Sequence, residues 1–366
     1  MKSLKQLLAL VTVVVLSASN SLAGPVTVAG DAFILVATNG SGIQLYSLTA
    51  DNNGNVYASN NSQGPGIPVQ RFRPGVFTGM AMPFDNFGPI CNDGDGLTFG
   101  AGYLYVADVY AGIRKISVTN ASASIFSSQT TTLCGSPLSF RLSDGHLFSN
   151  VGCQTNKIQE FDSLGNIVTN YTTTAGVQTM AFDSESGLIY YASYPAGGVY
   201  AYNPTSRTDT FVTTINGSID GGLAVDRISN RLFVGTANGT NQGQVYTMDL
   251  TTHTVSLFAS GFNGCLGILR EQVSGDLYFL EYNNLYRLAS AGVTNGLLPR
   301  LLIWPAVELG WVSETNKTYQ VQWSTNLMSS NWFNFGSSLP GNGSTNFLFD
   351  STRASPNRFY RIIVVQ

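Results

Sequence analysis

The chain has 366 residues and a net charge of −3, and only 11% of its residues are charged, compared with about 25% in ordinary globular proteins. It has no run of Lys and Arg, so it lacks the positive surface that binds nucleic-acid phosphates. The length predicts one large β domain or two domains. Solubility must come mainly from Asn, Ser, Thr and Gly, a composition that suits an exported β-rich protein.

The first 23 residues have the three parts of a secretory signal peptide. Lys2 and Lys5 give a positive start, an uncharged apolar run follows at 7–16, and Ser21 and Ala23 are small residues where signal peptidase cleaves. We predict cleavage after Ala23 and a secreted protein, located in the periplasm, at the cell surface or in the medium. A retained membrane anchor is less favoured because the run is short for a bilayer, and no later stretch predicts a transmembrane segment.

A four-residue motif recurs six times in the next part of the chain. It consists of Gly or Asn, any residue, an aliphatic residue and an aromatic residue, and the aromatic positions lie 48, 43, 42, 43 and 45 residues apart. The copies begin at Gly54, Gly102, Gly145, Gly187, Asn230 and Gly275. A period near 43 residues is typical of β-propellers, whose blades are antiparallel sheets of four strands.

Each copy of the motif lies between predicted strands. A short apolar segment precedes it, as at 97–99 and 223–225, and an alternating segment follows it, as at 158–161 and 245–248. Alternation with a period of two indicates strands, and the Gly, Asn and Asp clusters between them indicate turns. The sequence therefore predicts an all-β fold with a six-bladed β-propeller over residues 24–291.

The sixth copy of the repeat lacks a fourth strand. It ends after its third strand at 285–288, whereas an apolar segment at 33–37 belongs to no copy. The simplest arrangement is that this N-terminal strand completes blade six and closes the ring.

Parts of the repeat resemble known propeller families. The segments 104–108 and 113–116 resemble an NHL repeat, and 95–99 and 220–226 resemble inner strands of the gluconolactonase/regucalcin-like superfamily. The resemblance covers about residues 40–290 and implies the propeller fold. It does not imply one activity, because these propellers have many functions.

The repeat ends near residue 291, and the pattern changes after it. Residues 292–300 are predicted as a linker and 301–366 as a small β-sandwich-like domain. The predicted strands are 307–311, 318–324, 332–335, 346–349 and 359–365. In the second of them apolar and polar residues alternate, which gives a strand one apolar face. The order of aromatic residues resembles a fibronectin type III-like domain of exported proteins of environmental bacteria, serving either as a stabilising appendage or in attachment.

Ligand-binding residues are expected where two kinds of loop share one face of a propeller. These are the loops that enter the inner strands and the loops between the second and third strands. The candidates are Asp95, Asp108, Tyr110, Asn150, Gln178, Tyr194, Asp220, Asn263, Glu281 and Tyr282. The three tyrosines follow the motifs of blades two, four and six by four or five residues, which predicts three aromatic rings around the rim. They suit sugars or extended polymers, or else they pack over the loops.

Blade two concentrates carboxylates in Asp93, Asp95 and Asp108. Oxygen ligands of this kind suit Ca²⁺, so these three residues are the candidate metal ligands. Asp-Gly before an inner strand is also ordinary turn chemistry, and that interpretation stays open.

The resemblance to gluconolactonase-type enzymes implies a divalent cation held by Glu, Asn and Asp. Asp95 and Asp220 match such Asp positions and Asn263 matches the Asn position, but blade one has Gln44 where the Glu is expected. The metal site is therefore incomplete. The only histidines, His146 and His253, are not expected on the ligand face, which leaves no histidine base there.

Four cysteines in an exported chain predict up to two disulfides. Cys134 precedes the inner strand of blade three and Cys153 follows its second strand, so both should emerge on one face. A Cys134–Cys153 bond is the first choice. Cys91 and Cys265 lie in loops that enter blades two and six and form the second candidate pair.

Two functions fit these features. The first is a secreted propeller that binds an extracellular glycan, protein or small ligand, or acts as a scaffold. The alternative is a divalent-cation-dependent lactonase-type hydrolase at the channel mouth. A redox propeller is disfavoured because the sequence has no haem motif and no set of copper ligands.

Overall fold

The computed structural model describes residues 24–39, 44–60, 66–92, 94, 96–128, 137–150, 155–237, 242–289, 306–325, 327, 331–351 and 358–365. The predicted signal peptide at 1–23 and the predicted Cys134–Cys153 bond lie outside these residues, as do Asp93 and Asp95. The chain divides into two units, Met1–Gly292 and Val293–Gln366.

Regular structure in the described residues is almost entirely β-strand, which confirms the all-β prediction. The first unit begins with two separate strands, β1 (Val26–Thr27) and β2 (Ile34–Thr38). One 3-10 turn lies at Pro74–Val76. No helix in the described part of the chain is long and apolar enough to cross a membrane.

Antiparallel sheets then follow one another along the chain. The first sheet contains β3 (Leu45–Ala50), β4 (Val56–Asn60), β5 (Ile67–Phe72) and β6 (Asp85–Cys91). The second contains β7 (Leu97–Gly100), β8 (Tyr103–Asp108), β9 (Gly112–Ser117) and β10 (Ala123–Ser127). The third contains β11 (Leu138–Arg141), β12 (His146–Asn150), β13 (Lys157–Phe161) and β14 (Ile167–Thr172).

The remaining sheets of this unit repeat the pattern. The fourth contains β15 (Thr179–Phe182), β16 (Ile189–Ala192), β17 (Gly198–Asn203) and β18 (Thr208–Thr214). The fifth contains β19 (Leu223–Asp226), β20 (Arg231–Gly235), β21 (Val245–Asp249) and β22 (Val255–Ser260), with β1 as an outer fifth strand. The sixth contains β23 (Gly267–Arg270), β24 (Leu277–Glu281) and β25 (Asn284–Leu288), with β2 as its fourth strand.

The repeated motif marks the turn into the second strand of each sheet. Its first residue has a φ between 54° and 83° in all six copies: Gly54, Gly102, Gly145, Gly187, Asn230 and Gly275. Glycine adopts this left-handed conformation without strain, and Asn is among the few other residues that tolerate it. The aliphatic and aromatic residues that follow are buried in every copy. Because neighbouring residues of a strand point to opposite faces, each sheet is covered on both faces.

Hydrophobic clusters between consecutive sheets provide this cover. Each combines the aromatic residue of one motif with the aliphatic residue of the next. The pairs are Tyr57 with Leu104, Tyr105 with Leu147, Phe148 with Ile189, Tyr190 with Leu232, Phe233 with Leu277, and Tyr278 with Val56. The last pair joins the sixth sheet to the first.

The first strands of the sheets form a circle. Strands β3, β7, β11, β15, β19 and β23 contact one another in that order, and β23 contacts β3. An arrangement of four-stranded antiparallel sheets around a circle is consistent with a β-propeller.

The N-terminal strand β2 joins the two ends of this circle. It pairs with β25 from Ile34 opposite Arg287 to Thr38 opposite Asn284. On its other side, the backbone of Met82 in the first sheet's outer loop exchanges two hydrogen bonds with the segment 36–38, at 2.9 and 3.1 Å. The strand therefore connects the sixth sheet to the first.

Buried ion pairs connect neighbouring sheets at the C-terminal ends of the first strands. Arg227 binds Asp183 and Arg270 binds Asp226, each across one sheet boundary. Burial raises the pKa of Asp226, but hydrogen bonds from Arg270 and Ser229 outweigh it, and the pKa lies below its ordinary value. Asp226 therefore stays charged although only 1% of its side chain is exposed.

The candidate Cys91–Cys265 bond is wrong, since both thiols are free and buried. Cys91 belongs to the cluster between the first and second sheets, whereas Cys265 belongs to the cluster between the fifth and sixth. The sixth and first sheets separate the two clusters. Burial raises the pKa of Cys91 to about 12, which makes it an unreactive core residue.

The described residues of the second unit form five strands in two sheets. They are β26 (Ala306–Val312), β27 (Thr318–Ser324), β28 (Phe333–Pro340), β29 (Thr345–Ser351) and β30 (Phe359–Val365). Strands β26 and β29 pair with each other, and β27 lies between β28 and β30. The buried carboxylate of Asp350 on β29 accepts hydrogen bonds from Arg358 and Tyr360, which connects the two sheets.

We expect Phe33→Ala to destabilise the protein, because Phe33 anchors β2 in the core. Phe33 is 8% exposed, and the centre of its ring lies 4.9 Å from the ring centre of Phe279 and 5.1 Å from that of Phe262. The free energy of unfolding in urea should fall by about 3–5 kcal/mol. Phe211→Ala, on an outer strand where the ring is 55% exposed, should cost far less. Equal losses would contradict the role of β2 in closing the circle.

We also expect Arg270→Ala to leave a buried charge unpaired at Asp226. The free energy of unfolding should fall by about 3–5 kcal/mol, the usual cost of removing one partner of a buried ion pair. The control is Arg73→Ala, because Arg73 and Asp85 form an ion pair whose side chains are 48% and 39% exposed. Exposed pairs contribute about 0–1 kcal/mol, so a similar loss in both variants would refute the buried connection.

Candidate functional site

Antiparallel pairing brings two kinds of loop to one face of the circle, here called the mouth face. Each first strand begins on this face and each second strand ends on it. The sequence-predicted residues Asp108, Asn150 and Glu281 end β8, β12 and β24, while Gln178, Asp220 and Asn263 precede β15, β19 and β23. Tyr110, Tyr194 and Tyr282 lie in the turns that follow second strands. Asp93 and Asp95 lie outside the described residues.

A hydrogen-bonded group crosses the centre of the mouth face. The Tyr46 hydroxyl, on β3, donates to Asp220, and the two side chains lie 3.0 Å apart. The amide of Gln178 donates to Asp220 at 2.7 Å and to the Tyr46 oxygen at 3.3 Å. In the circle β15 lies opposite β3, and β19 is separated from β3 by one strand, so these contacts connect three non-adjacent or opposite parts of the mouth.

Sequence reasoning found two members of this group and missed the third. Gln178 and Asp220 were candidates because they precede first strands. Tyr46 lies inside a first strand and is 7% exposed. No local pattern distinguishes it from a core tyrosine, and only its partners, 132 and 174 residues away, reveal its position.

Asp108, a predicted metal ligand, organises the backbone around it. Its carboxylate accepts hydrogen bonds from the backbone N–H groups of Asn92, Tyr110 and Ala111, and it forms an ion pair with Arg114 at 2.7 Å. The side chain is fully buried. The hydrogen bonds to the Asp108 carboxylate therefore fix the turn that contains Tyr110.

Asn150 has a comparable role in the third sheet. Its side-chain amide donates to the carbonyl of Val177, in the loop that enters β15, at 3.0 Å. Among the residues that the structure describes, no three His, Cys, Asp or Glu side chains are grouped as metal ligands. Asp93 and Asp95, the other two predicted metal ligands of blade two, lie outside the described residues.

Glu281 is a half-buried carboxyl on the mouth face. Burial raises its pKa above the ordinary value, and the backbone N–H of Asn263, which donates to the carboxylate, offsets only part of this rise. The carbonyl of Asn263 accepts from the Gln242 amide at 2.8 Å. The Glu281 carboxyl therefore keeps its proton to a higher pH than an ordinary glutamate.

The three predicted rim tyrosines differ in exposure. Tyr110 is 75% exposed, whereas Tyr194 and Tyr282 are half-buried. Tyr282 packs against Tyr46 and Leu266, so it supports the centre of the mouth. Tyr110 alone of the three presents most of its surface to solvent.

The histidines lie away from the mouth face. His146 begins β12, at the opposite end from Asn150, and its ring nitrogen is 2.7 Å from Glu160. Arg141 also binds Glu160. His253 lies in the turn between β21 and β22. Neither residue is placed to act as a base beside Asp220 or Glu281.

Comparison with known proteins indicates the fold and not the activity. No protein-family model matches the chain, and no curated protein is similar to it in sequence. A chain in the crystal structure of a nidogen/laminin complex is similar with a TM-score of 0.50 and 13% identity, over 66% of this chain and 86% of that one. An extracellular domain of a one-component system from B. thetaiotaomicron has a TM-score of 0.45 and 12% identity, over 91% of this chain and 58% of that one. The first similarity supports a β-propeller-like fold.

We expect Glu281→Gln to change how stability depends on pH. The folded state holds this proton more tightly than the unfolded chain, so the wild type loses stability as pH rises from about 4, the ordinary Glu value, to the raised pKa of the folded state. Gln cannot ionise. The difference in the free energy of unfolding between variant and wild type should therefore shift in favour of the variant across this window and stay constant above it.

The control is Glu185→Gln, since Glu185 is 71% exposed. Unfolding in urea at a series of pH values from 3 upward, in roughly unit steps, measures both variants. Parallel curves for wild type and Glu281→Gln would show that burial of Glu281 has no energetic consequence.

Proposed function

We propose that the protein is an exported six-bladed β-propeller that binds another protein on its mouth face. Residues 24–291 form the propeller, β2 completes blade six, and residues 301–366 are an accessory fibronectin type III-like module. The observation that carries this proposal is the exposed Tyr110 at the rim, on a turn that hydrogen bonds to Asp108 hold in place.

The hydrogen-bonded group at the centre favours a large partner over a small one. Tyr46, Gln178 and Asp220 are hydrogen-bonded to each other across the mouth. A small ligand that binds any of these three side chains would have to compete with these bonds, and each buried polar group left without a partner costs about 1–3 kcal/mol. A partner that rests on the loops leaves them intact.

The rim offers a contact residue of the type that dominates protein interfaces. Tyr110 combines 75% exposure with a turn fixed by the two backbone hydrogen bonds to Asp108. Tyrosine is enriched among interface residues that contribute most binding energy, and a pre-ordered turn loses little entropy on binding. Tyr194, Tyr282, Glu281 and Asn263 complete the proposed ligand face.

Protein binding also has a precedent in the fold. The similar chain described above belongs to a complex of two proteins, nidogen and laminin. At 13% identity this likeness extends to the fold alone, so the proposal for this chain depends on Tyr110 and its turn.

No described contact favours the lactonase-type hydrolase. Such an enzyme needs several oxygen ligands around one cation. Asp108 is bound by Arg114 and by three backbone N–H groups, and Asp220 is bound by Tyr46 and Gln178. Both carboxylates have structural partners that a metal would displace.

A displayed random-peptide library, selected on the purified protein, tests the proposed face. Peptides enriched on the wild type should bind Tyr110→Ala about tenfold more weakly or worse, as expected for a central interface residue. The matched control is Tyr103→Ala, because Tyr103 begins the same strand, β8, at the opposite end. Selected peptides that bind both variants like the wild type, or a failure to enrich any peptide, would refute the proposal.

A further inference from the structure

The second unit differs from the rest of the chain in charge. Residues 293–366 contain five Lys and Arg and three Asp and Glu, a net charge of +2 in a chain whose total is −3. Among the described cations of this unit, Lys317 pairs with Glu314 and Arg358 pairs with Asp350. Arg361 has no acidic partner in the described residues, so its charge is available to a ligand.

Arg361 belongs to a row of polar side chains across three strands. Gln322 on β27 lies opposite Asn334 on β28 and opposite Arg361 on β30, so the three side chains share one face of the sheet. The Gln322 amide donates to Asn334 at 2.9 Å, and Arg361 Nε donates to the Gln322 oxygen at 2.8 Å. The row spans about 10 Å, twice the usual distance between strands.

The Arg361 guanidinium packs over the ring of Trp332. The central carbon of the Arg361 guanidinium lies 4.4 Å from the centre of the indole ring, a cation–π contact. The Nη atoms of Arg361 make no hydrogen bond to the described residues, and Arg361 and Asn334 are exposed. An ordered, exposed guanidinium can bind a carboxylate through two parallel hydrogen bonds.

We propose that this row, formed by Trp332, Asn334, Gln322 and Arg361, binds an acidic polysaccharide. A sugar carboxylate pairs with the Nη donors of Arg361, and the amides of Asn334 and Gln322 bind neighbouring hydroxyl groups. The side chains are already held by one another, so binding loses little conformational entropy. The proposed binding site consists of residues of the second unit and does not depend on the proposed function of the propeller.

Other anionic ligands fit the row less well. A nucleic acid needs several phosphate contacts to bind with useful affinity, and the row has one cation. An anionic membrane likewise requires a cluster of basic residues. A chain rich in carboxylates and hydroxyls matches one guanidinium flanked by two amides.

The test measures binding of the full exported protein to polygalacturonate by isothermal titration calorimetry. The neutral control polymer is the same polysaccharide with its carboxylates methyl-esterified. We expect the wild type to bind polygalacturonate at least about tenfold more tightly than the ester, the equivalent of one charge-assisted contact. Arg361→Gln should lose this preference, and Arg361→Lys should lose most of it, because an ammonium group cannot form the paired hydrogen bonds.

The matched control variant is Lys317→Gln, which removes a positive charge from the same unit at an ion pair away from the row. It should leave binding unchanged, as should Tyr110→Ala on the mouth face. The melting temperature of Arg361→Gln should stay that of the wild type because the side chain is exposed. The proposal is overturned if the wild type does not bind polygalacturonate. Equal binding of the ester or of polyglutamate, or equal effects of Arg361→Gln and Lys317→Gln, would overturn it as well.

Discussion

Burial of every sheet on both faces is the constraint on which the first unit depends. A four-stranded sheet cannot cover its own faces, so each one requires a neighbour on either side. The repeated aliphatic–aromatic pair meets this requirement, since one residue packs towards the preceding sheet and the other towards the following sheet. The chain of contacts has no exposed end only when Tyr278 packs against Val56. Closure of the circle is therefore a condition for stability.

Closure also determines what the mouth face can do. It brings loops that are far apart in sequence to one surface, and most of the polar side chains there hold backbone in place. Asp108 fixes a turn, Asn150 holds the next entering loop, and Tyr46 joins Gln178 and Asp220. This use of polar groups explains why Asp108, which suggested a metal ligand in the sequence, has protein partners. At the rim, Tyr110 is 75% exposed.

The second unit leaves large apolar side chains exposed. Its two sheets have two and three strands, and large apolar side chains such as Val312 and Phe349 are 79% and 65% exposed. The Asp350 carboxylate on one sheet accepts hydrogen bonds from Arg358 and Tyr360 beside the other sheet. A hydrogen bond within one sheet also orders Gln322 and Arg361 on an exposed face, and these two side chains belong to the proposed binding row.

The sequence alone determined the repeat, the all-β class and the positions of most strands, because a turn with positive φ and a buried residue pair leave a local trace in every copy. Residues 318–324 and 359–365, for example, were predicted as strands with the bounds that the structure has. The tertiary structure alone decided which polar side chains meet. Tyr46 and Asp220 are 174 residues apart in sequence and meet in the fold. Cys91 and Cys265 were both predicted in loops that enter first strands, yet they belong to separate hydrophobic clusters. Local pattern reports how a segment folds, whereas contacts between distant segments exist only after the circle has closed.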